Sequence, residues 1–225
     1  MLDNGVFTQV DVPGAISTVV NGISANGRLA GTYQTSADPN SNRAFFWSKG
    51  TFTTLFPPGA IRSQGGFLNA QGDVVGTYRD SSNKRLGFLW SKGAFTTIDF
   101  PGDDPLFGTT LFGIDDVGRM VGTYVDAAGD RHGFLLSGSA YTTLDYPGAV
   151  FTVAEGINNP GTIVGLYFDG STFHGFVLKD GAYTTVDVPG STLTQIFSIS
   201  ANGHICGLYT DGAGDDHGFL GTSAH

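Results

Sequence analysis

Five glycine-x-tyrosine steps recur at near-constant spacing along the chain, each near the end of a strand-like run. Tyr33, Tyr78, Tyr124, Tyr167 and Tyr209 lie two residues after Gly31, Gly76, Gly122, Gly165 and Gly207, at intervals of 45, 46, 43 and 42 residues. A period in this range means that one supersecondary unit is repeated and stacked on its neighbours, as in solenoids and propellers. The unit reads approximately F/Y-T-T-L/I/V-D-x-P-G, a variable loop, G-I-N/D/S-x-x-G-x-I/V-V-G-x-Y-x-D, a polar loop, and H-G-F-L. It holds four short runs, which favours a propeller blade over paired helices. In the third unit these runs are Thr110 to Asp115, Arg119 to Asp126, Arg131 to Leu136 and Tyr141 to Tyr146. Gly118 closes the turn between the first two, and Gly27, Gly72, Gly161 and Gly203 fill the same position, which predicts a backbone with positive φ there. Pro147 ends the fourth run, because proline has no N–H to give to a ladder.

The ends of the sequence complement each other. Val6 to Val12, followed by Pro13 and Gly14, matches the fourth run, while His217 to Leu220 matches the third. The expected fold is therefore all-β: a five-bladed β-propeller of four-stranded antiparallel blades, forming one domain over residues 1–225. Its ring is closed by the N-terminal strand joining the C-terminal blade, which begins near Gln195. Closure of this kind removes exposed sheet edges. The 35 glycines and 18 phenylalanines, against 14% charged residues, suit many short strands and tight turns.

Charge and composition narrow the partners. Twenty acidic against eleven basic residues give a net charge of −9, and Lys and Arg are scattered, with no group denser than Lys84 and Arg85, so no nucleic-acid partner is expected. No apolar run reaches membrane-spanning length, and the opening MLDNGVF lacks the regions of a signal peptide. One cysteine excludes an internal disulfide and a cysteine-rich zinc site. A monomer is expected.

The third runs, Arg43-Ala44-Phe45-Phe46-Trp47, Leu86-Gly87-Phe88-Leu89-Trp90 and His132-Gly133-Phe134-Leu135, each follow a G-x-I/V-V-G-x-Y type strand. In this the chain resembles the bacterial HAF-type extracellular repeat. The resemblance covers nearly the whole chain and implies an extracellular or periplasmic location, without a catalytic motif to carry over. The chain departs from the name-giving triplet, with Gly or Ala at its middle position and His in three of the five units.

A residue found in every unit is most simply explained by what every unit needs. The tyrosine column is expected to be structural. His132, His174 and His217, with Asp126, Asp169 and Asp211 nearby, offer metal-binding groups, but equivalent positions in separate blades do not converge. Each His is expected to brace its own hairpin. The loops Asp126 to Asp130 and Asp211 to Asp216 lack the EF-hand ligand pattern and read as Asp/Gly turns. Cys206 shares its column with Ala30, Val75, Val121 and Val164 and reads as core packing.

The informative positions are those that break the repeat. Asn21, Phe112, Glu155 and Phe197 stand two residues before the isoleucine column, and Gln64 and Gln195 four before it. All fall on the innermost strand of a unit, facing the channel, and Arg62 and Asp103 lie in the loops leading there. Apolar walls with a few polar groups are what a small-ligand pocket needs. The expected function is lectin-like binding of a small molecule or carbohydrate at the channel mouth by Asn21, Gln64, Phe112, Glu155, Gln195, Phe197, Arg62 and Asp103. The alternative is a calcium-dependent hydrolase of small esters, lactones or phosphotriesters, its cation held by Glu155 and Asn21. The first reading needs no cofactor, and the second needs calcium.

Overall fold

In a computed structural model, which describes residues 2, 3 and 5–222, strand runs of the repeat pair in chain order. A short hairpin, β1 (Leu2–Asp3) and β2 (Val6–Phe7), precedes the repeats. Sheet I holds β3 (Ala15–Ile23), β4 (Leu29–Thr35), β5 (Asp38–Ser48) and β6 (Thr51–Leu55). Sheet II holds β7 (Ala60–Leu68), β8 (Val74–Asp80), β9 (Arg85–Ser91) and β10 (Ala94–Ile98). Sheet III holds β11 (Thr109–Ile114), β12 (Met120–Val125), β13 (Arg131–Ser137) and β14 (Ala140–Leu144). Sheet IV holds β15 (Phe151–Ile157), β16 (Ile163–Phe168), β17 (Phe173–Lys179) and β18 (Ala182–Val186). Sheet V holds β19 (Leu193–Ile199), β20 (His204–Thr210) and β21 (Asp216–Thr222), joined to sheet IV by one parallel bridge, Phe173 to Leu193. Pairing within each sheet is antiparallel, and no helix occurs among the described residues.

The repeated residues build the layers between sheets. Phe45, Phe88, Phe134 and Phe176 are fully buried on the third strands. Each tyrosine of the first four units reaches across its sheet to a threonine of the fourth strand: Tyr33 to Thr54, Tyr78 to Thr97, Tyr124 to Thr143 and Tyr167 to Thr185, at 2.8 to 3.0 Å. Gly27, Gly72, Gly118, Gly161 and Gly203 all have positive φ, as the turn requires. Just before that turn, Asp115 accepts the N–H groups of Val117 and Arg119 and the Arg119 Nε–H. Neighbouring turns are laced together: Asn69 donates to Asp115 O, Arg119 to Asn159 O and Asn158 to Ser200 O.

The N-terminal segment departs from expectation. Instead of one strand from Val6 to Val12, only Val6–Phe7 is a strand, and it pairs with Leu2–Asp3 rather than with β21. The register, Leu2 to Phe7, is that of Trp90 to Phe95 in sheet II, so this hairpin satisfies its backbone locally across Gly5. Further on the segment behaves as the connections into sheets III, IV and V do. The Val12 N–H donates to Thr18 Oγ1, as Phe100 does to Thr109 and Tyr146 to Thr152, and Val12 packs on Leu29, Tyr33 and Phe45.

Among the described residues, sheet V has only one covered face. Ala30, Val75, Val121 and Val164 are fully buried under the sheet that follows, whereas Cys206 in the same column is exposed and Leu220 is 79% exposed. On sheet I, Ile23 is 61% exposed, whereas its counterparts Leu68, Ile114, Ile157 and Ile199 are buried.

Candidate ligand site in the central channel

The first strand of every sheet carries a β-bulge. Register slips between Val20 and Gly22, Gly65 and Leu68, Leu111 and Gly113, Ala154 and Gly156, and Ile196 and Ser198. A bulge leaves one residue outside the ladder and re-aims its side chain. In sheets I, III, IV and V the extra residues are Asn21, Phe112, Glu155 and Phe197, the very positions that break the repeat. The glycine after the bulge is a contact point between sheets: a Cβ on Gly113 would stand 3.1 Å from Glu155 O and 3.2 Å from the Gly156 Cα. The first strands thus converge backbone to backbone, and the bulged side chains surround the space they leave.

That space is a cavity of about 440 Å³ lined by Asn21, Gln64, Phe112, Glu155 and Phe197 together with Thr32, Thr77 and Thr110. Residues from all five sheets meet there, which is the arrangement of a β-propeller around its channel. The sequence-predicted set is largely brought together. Gln195 lines a second, contiguous cavity of about 380 Å³ with Gln64, Phe112 and Glu155, toward the rim where the connections enter the first strands.

Glu155 is buried, and its Oε1 accepts a 3.0 Å hydrogen bond from Gln195 Nε2. Burial pushes its carboxyl up to about 7, an effect that the Gln195 hydrogen bond partly offsets. No basic side chain neutralises it among the described residues. Asn21 is partly committed, its Nδ2–H donating 2.6 Å to Gly65 O of sheet II.

Asp103 does not belong to the site. Its side chain is 2% exposed, ion-paired with Lys84 at 3.0 Å and bonded by Thr109 Oγ1 at 2.7 Å, so it anchors the connection into sheet III. Arg62 lies on the rim, in a cleft of about 180 Å³ with Arg79 and Arg85. Sequence reasoning missed Arg79, Arg85 and Arg131, because they stand on second and third strands, outside the innermost strands where the repeat-breaking residues were sought. The available signal was their register: Arg62 and Arg79, then Arg79 and Arg85, are direct cross-strand partners.

The histidines brace hairpins in separate sheets, as expected. His132 meets Asp126 and Asp145, His174 meets Asp169 and Asp187, and His217 meets Asp211, each ring stacked on its tyrosine. In the acidic loops Asp126 accepts the N–H groups of Ala128 and Asp130, and Asp211 those of Ala213 and Asp215, which accounts for both as turns. Among the described residues no three His, Cys, Asp or Glu side chains gather as a metal site.

No protein-family model matches the chain, and no curated protein matches it. Solved structures do. A protein assigned as TolB from Agrobacterium tumefaciens superposes with a TM-score of 0.68 at 11% identity, over 91% of this chain and 76% of its own. A prolyl endopeptidase superposes at 0.63 and 12% identity, over 96% of this chain but 37% of its own. The Aleuria aurantia lectin in complex with alpha-methyl-L-fucoside superposes at 0.51 and 13% identity, over 90% and 72%. At such identities the likeness is one of fold, and it sets this chain among all-β propeller proteins.

Proposed function

We propose that the protein is a lectin-like binding module whose channel takes a small hydroxylated molecule, a saccharide first. The observation that carries this is the convergence of first-strand residues: Phe112 and Phe197 supply apolar faces, and Asn21, Gln64 and Gln195 supply amides, around two adjoining cavities that share Gln64, Phe112 and Glu155. That mixture suits the apolar and hydroxylated faces of a sugar ring. The HAF-type repeat and an extracellular or periplasmic site of action belong to the same proposal, supported by the third-strand motifs, as does a monomeric state. Binding of defined oligosaccharides to the intact chain tests it. Phe112→Ala should weaken binding about tenfold or more with little change in melting temperature, equivalent to roughly 1.4 kcal/mol. Full binding by both Phe112→Ala and Gln195→Ala would remove the channel from consideration.

A calcium-dependent hydrolase is the second reading, favoured by the buried Glu155 carboxylate without a cationic partner. Glu155 and Asn21 would be its protein ligands. Ester or lactone hydrolysis that chelation abolishes and calcium restores would select it.

The ring itself we propose to be five-bladed and closed by seating sheet V on sheet I. Four column pairs support this. Ala30 with Leu68, Val75 with Ile114, Val121 with Ile157 and Val164 with Ile199 share buried clusters between successive sheets. The fifth pair in the pattern is Cys206 with Ile23, and both line one cavity of about 480 Å³ at the opposite mouth. Asp11 occupies the column of Asp145 and Asp187, so a closed ring gives His217 its second carboxylate. In an Ile23→Cys variant, oxidation should form an intramolecular disulfide with Cys206. A solely intermolecular product would mean that the ring does not close on itself.

A further inference from the structure

Arg62, Arg79 and Arg85 occupy one rung of sheet II. Arg62 of β7 pairs directly with Arg79 of β8, and Arg79 with Arg85 of β9, so three guanidinium groups leave the same face side by side. Arg131 opens the third strand of sheet III as Arg85 opens that of sheet II, and Arg85 and Arg131 line the rim cavity together with Gln64, Phe112, Glu155 and Gln195. Like charges placed directly opposite each other in a sheet are destabilising. Nothing in the protein offsets them: no carboxylate lies within ion-pair distance of any of the four among the described residues, although the chain carries twenty acidic side chains. Three carboxylates of the surrounding loops are committed elsewhere. Asp80 and Asp104 accept backbone N–H groups of their own turns, and Asp103 holds Lys84. Arg79 is steadied by the carbonyls of Asn83 and Leu106, and Arg131 lies 5.6 Å over the Phe151 ring, so both are positioned without being neutralised. Burial, with the charges of Arg79, Arg131 and Arg62 added to it, lowers the Arg85 pKa from the usual guanidinium value. Burial and Arg62 do the same to Arg79.

We propose that this rim binds the anionic substituent of the ligand, a carboxylate or sulfate carried by a saccharide whose ring enters the channel. The proposal rests on the saccharide reading for the ring, while the anion site stands on the arginines alone. A planar guanidinium presents paired N–H donors that match a carboxylate or sulfate bidentately. The cleft of Arg62, Arg79 and Arg85, about 180 Å³, has the dimensions of a substituent subsite, while the channel beyond it holds the larger volume.

The test uses the intact chain with glucuronate, its neutral methyl ester, glucose, and inorganic sulfate, read by thermal shift and calorimetry at matched ionic strength. Glucuronate and sulfate should raise the melting temperature of the wild type, and glucuronate should bind at least about tenfold tighter than its ester. Arg85→Gln and Arg62→Gln should fold with a melting temperature no lower than the wild type and lose most of that preference. An anion-induced shift retained in both variants would mark general salt stabilisation and overturn the proposal, as would no anion effect on the wild type. Sulfate stabilisation that depends on Arg85, without binding of any saccharide, would leave the anion site standing and sink the saccharide reading instead.

Discussion

At the scale of single residues, Glu155 sets a measurable pH dependence. Its carboxyl is raised from 4.5 to about 7 by burial, so the folded protein holds that proton more tightly than the unfolded chain. Stability from this group is therefore fully present below about pH 4.5 and is lost as pH rises through about 7, by roughly 3 kcal/mol in all. Glu155→Gln should be more stable than the wild type at pH 8 by an amount of that order, and the two should converge at pH 4, as denaturant midpoints would show. A wild type no less stable than the variant at pH 8 would mean that Glu155 is not buried as described. Residues of this kind were legible because they break a repeat: Asn21, Phe112, Glu155 and Phe197 could be picked out from five aligned units. Asp103 was not legible, because nothing in its own loop distinguishes a buried anchor from an exposed ligand. Its role comes from Lys84, which a turn of sheet II brings to it, and from Thr109, where its own connection enters sheet III.

At the scale of strands, the tyrosine-threonine bonds join the second strand to the fourth across the third. Tyr124→Phe should cost about 1 kcal/mol, the usual net value of one such hydrogen bond, and the same change at Tyr209, which lacks a fourth-strand threonine, should cost less. Equal losses at the two positions, measured by chemical denaturation, would argue against this bracing role. Strand number and order were readable because each run carries its own punctuation in glycine, Asp-x-Pro-Gly and Tyr-x-Asp. The bulges were not readable, since a period of two residues gives no warning of one extra residue in a strand. Yet the bulges are what turn those side chains into the channel. The arginine rung was hidden for a related reason: Arg62, Arg79 and Arg85 become neighbours only once the register of three strands is fixed.

At the scale of the whole molecule, the complementarity of the two ends was visible in the sequence, but the local pairing of Val6–Phe7 with Leu2–Asp3 was not, because a two-residue hairpin needs little beyond a turn. Deleting residues 1–12 removes Val12 from the cluster of Leu29, Tyr33 and Phe45, and should cost on the order of 2 kcal/mol even if sheet V never meets the N-terminal segment. An unchanged denaturation midpoint would show that the segment contributes nothing to sheet I. The buried clusters that span sheets each join one sheet to the next along the chain, so the contacts they make are local or about one repeat apart. Such a chain should fold by accretion, with any sheet pair able to start and no distant segment required before the last junction. Amide exchange should then be graded along the molecule, slowest in sheets II, III and IV, and fastest in sheet V, which has three strands.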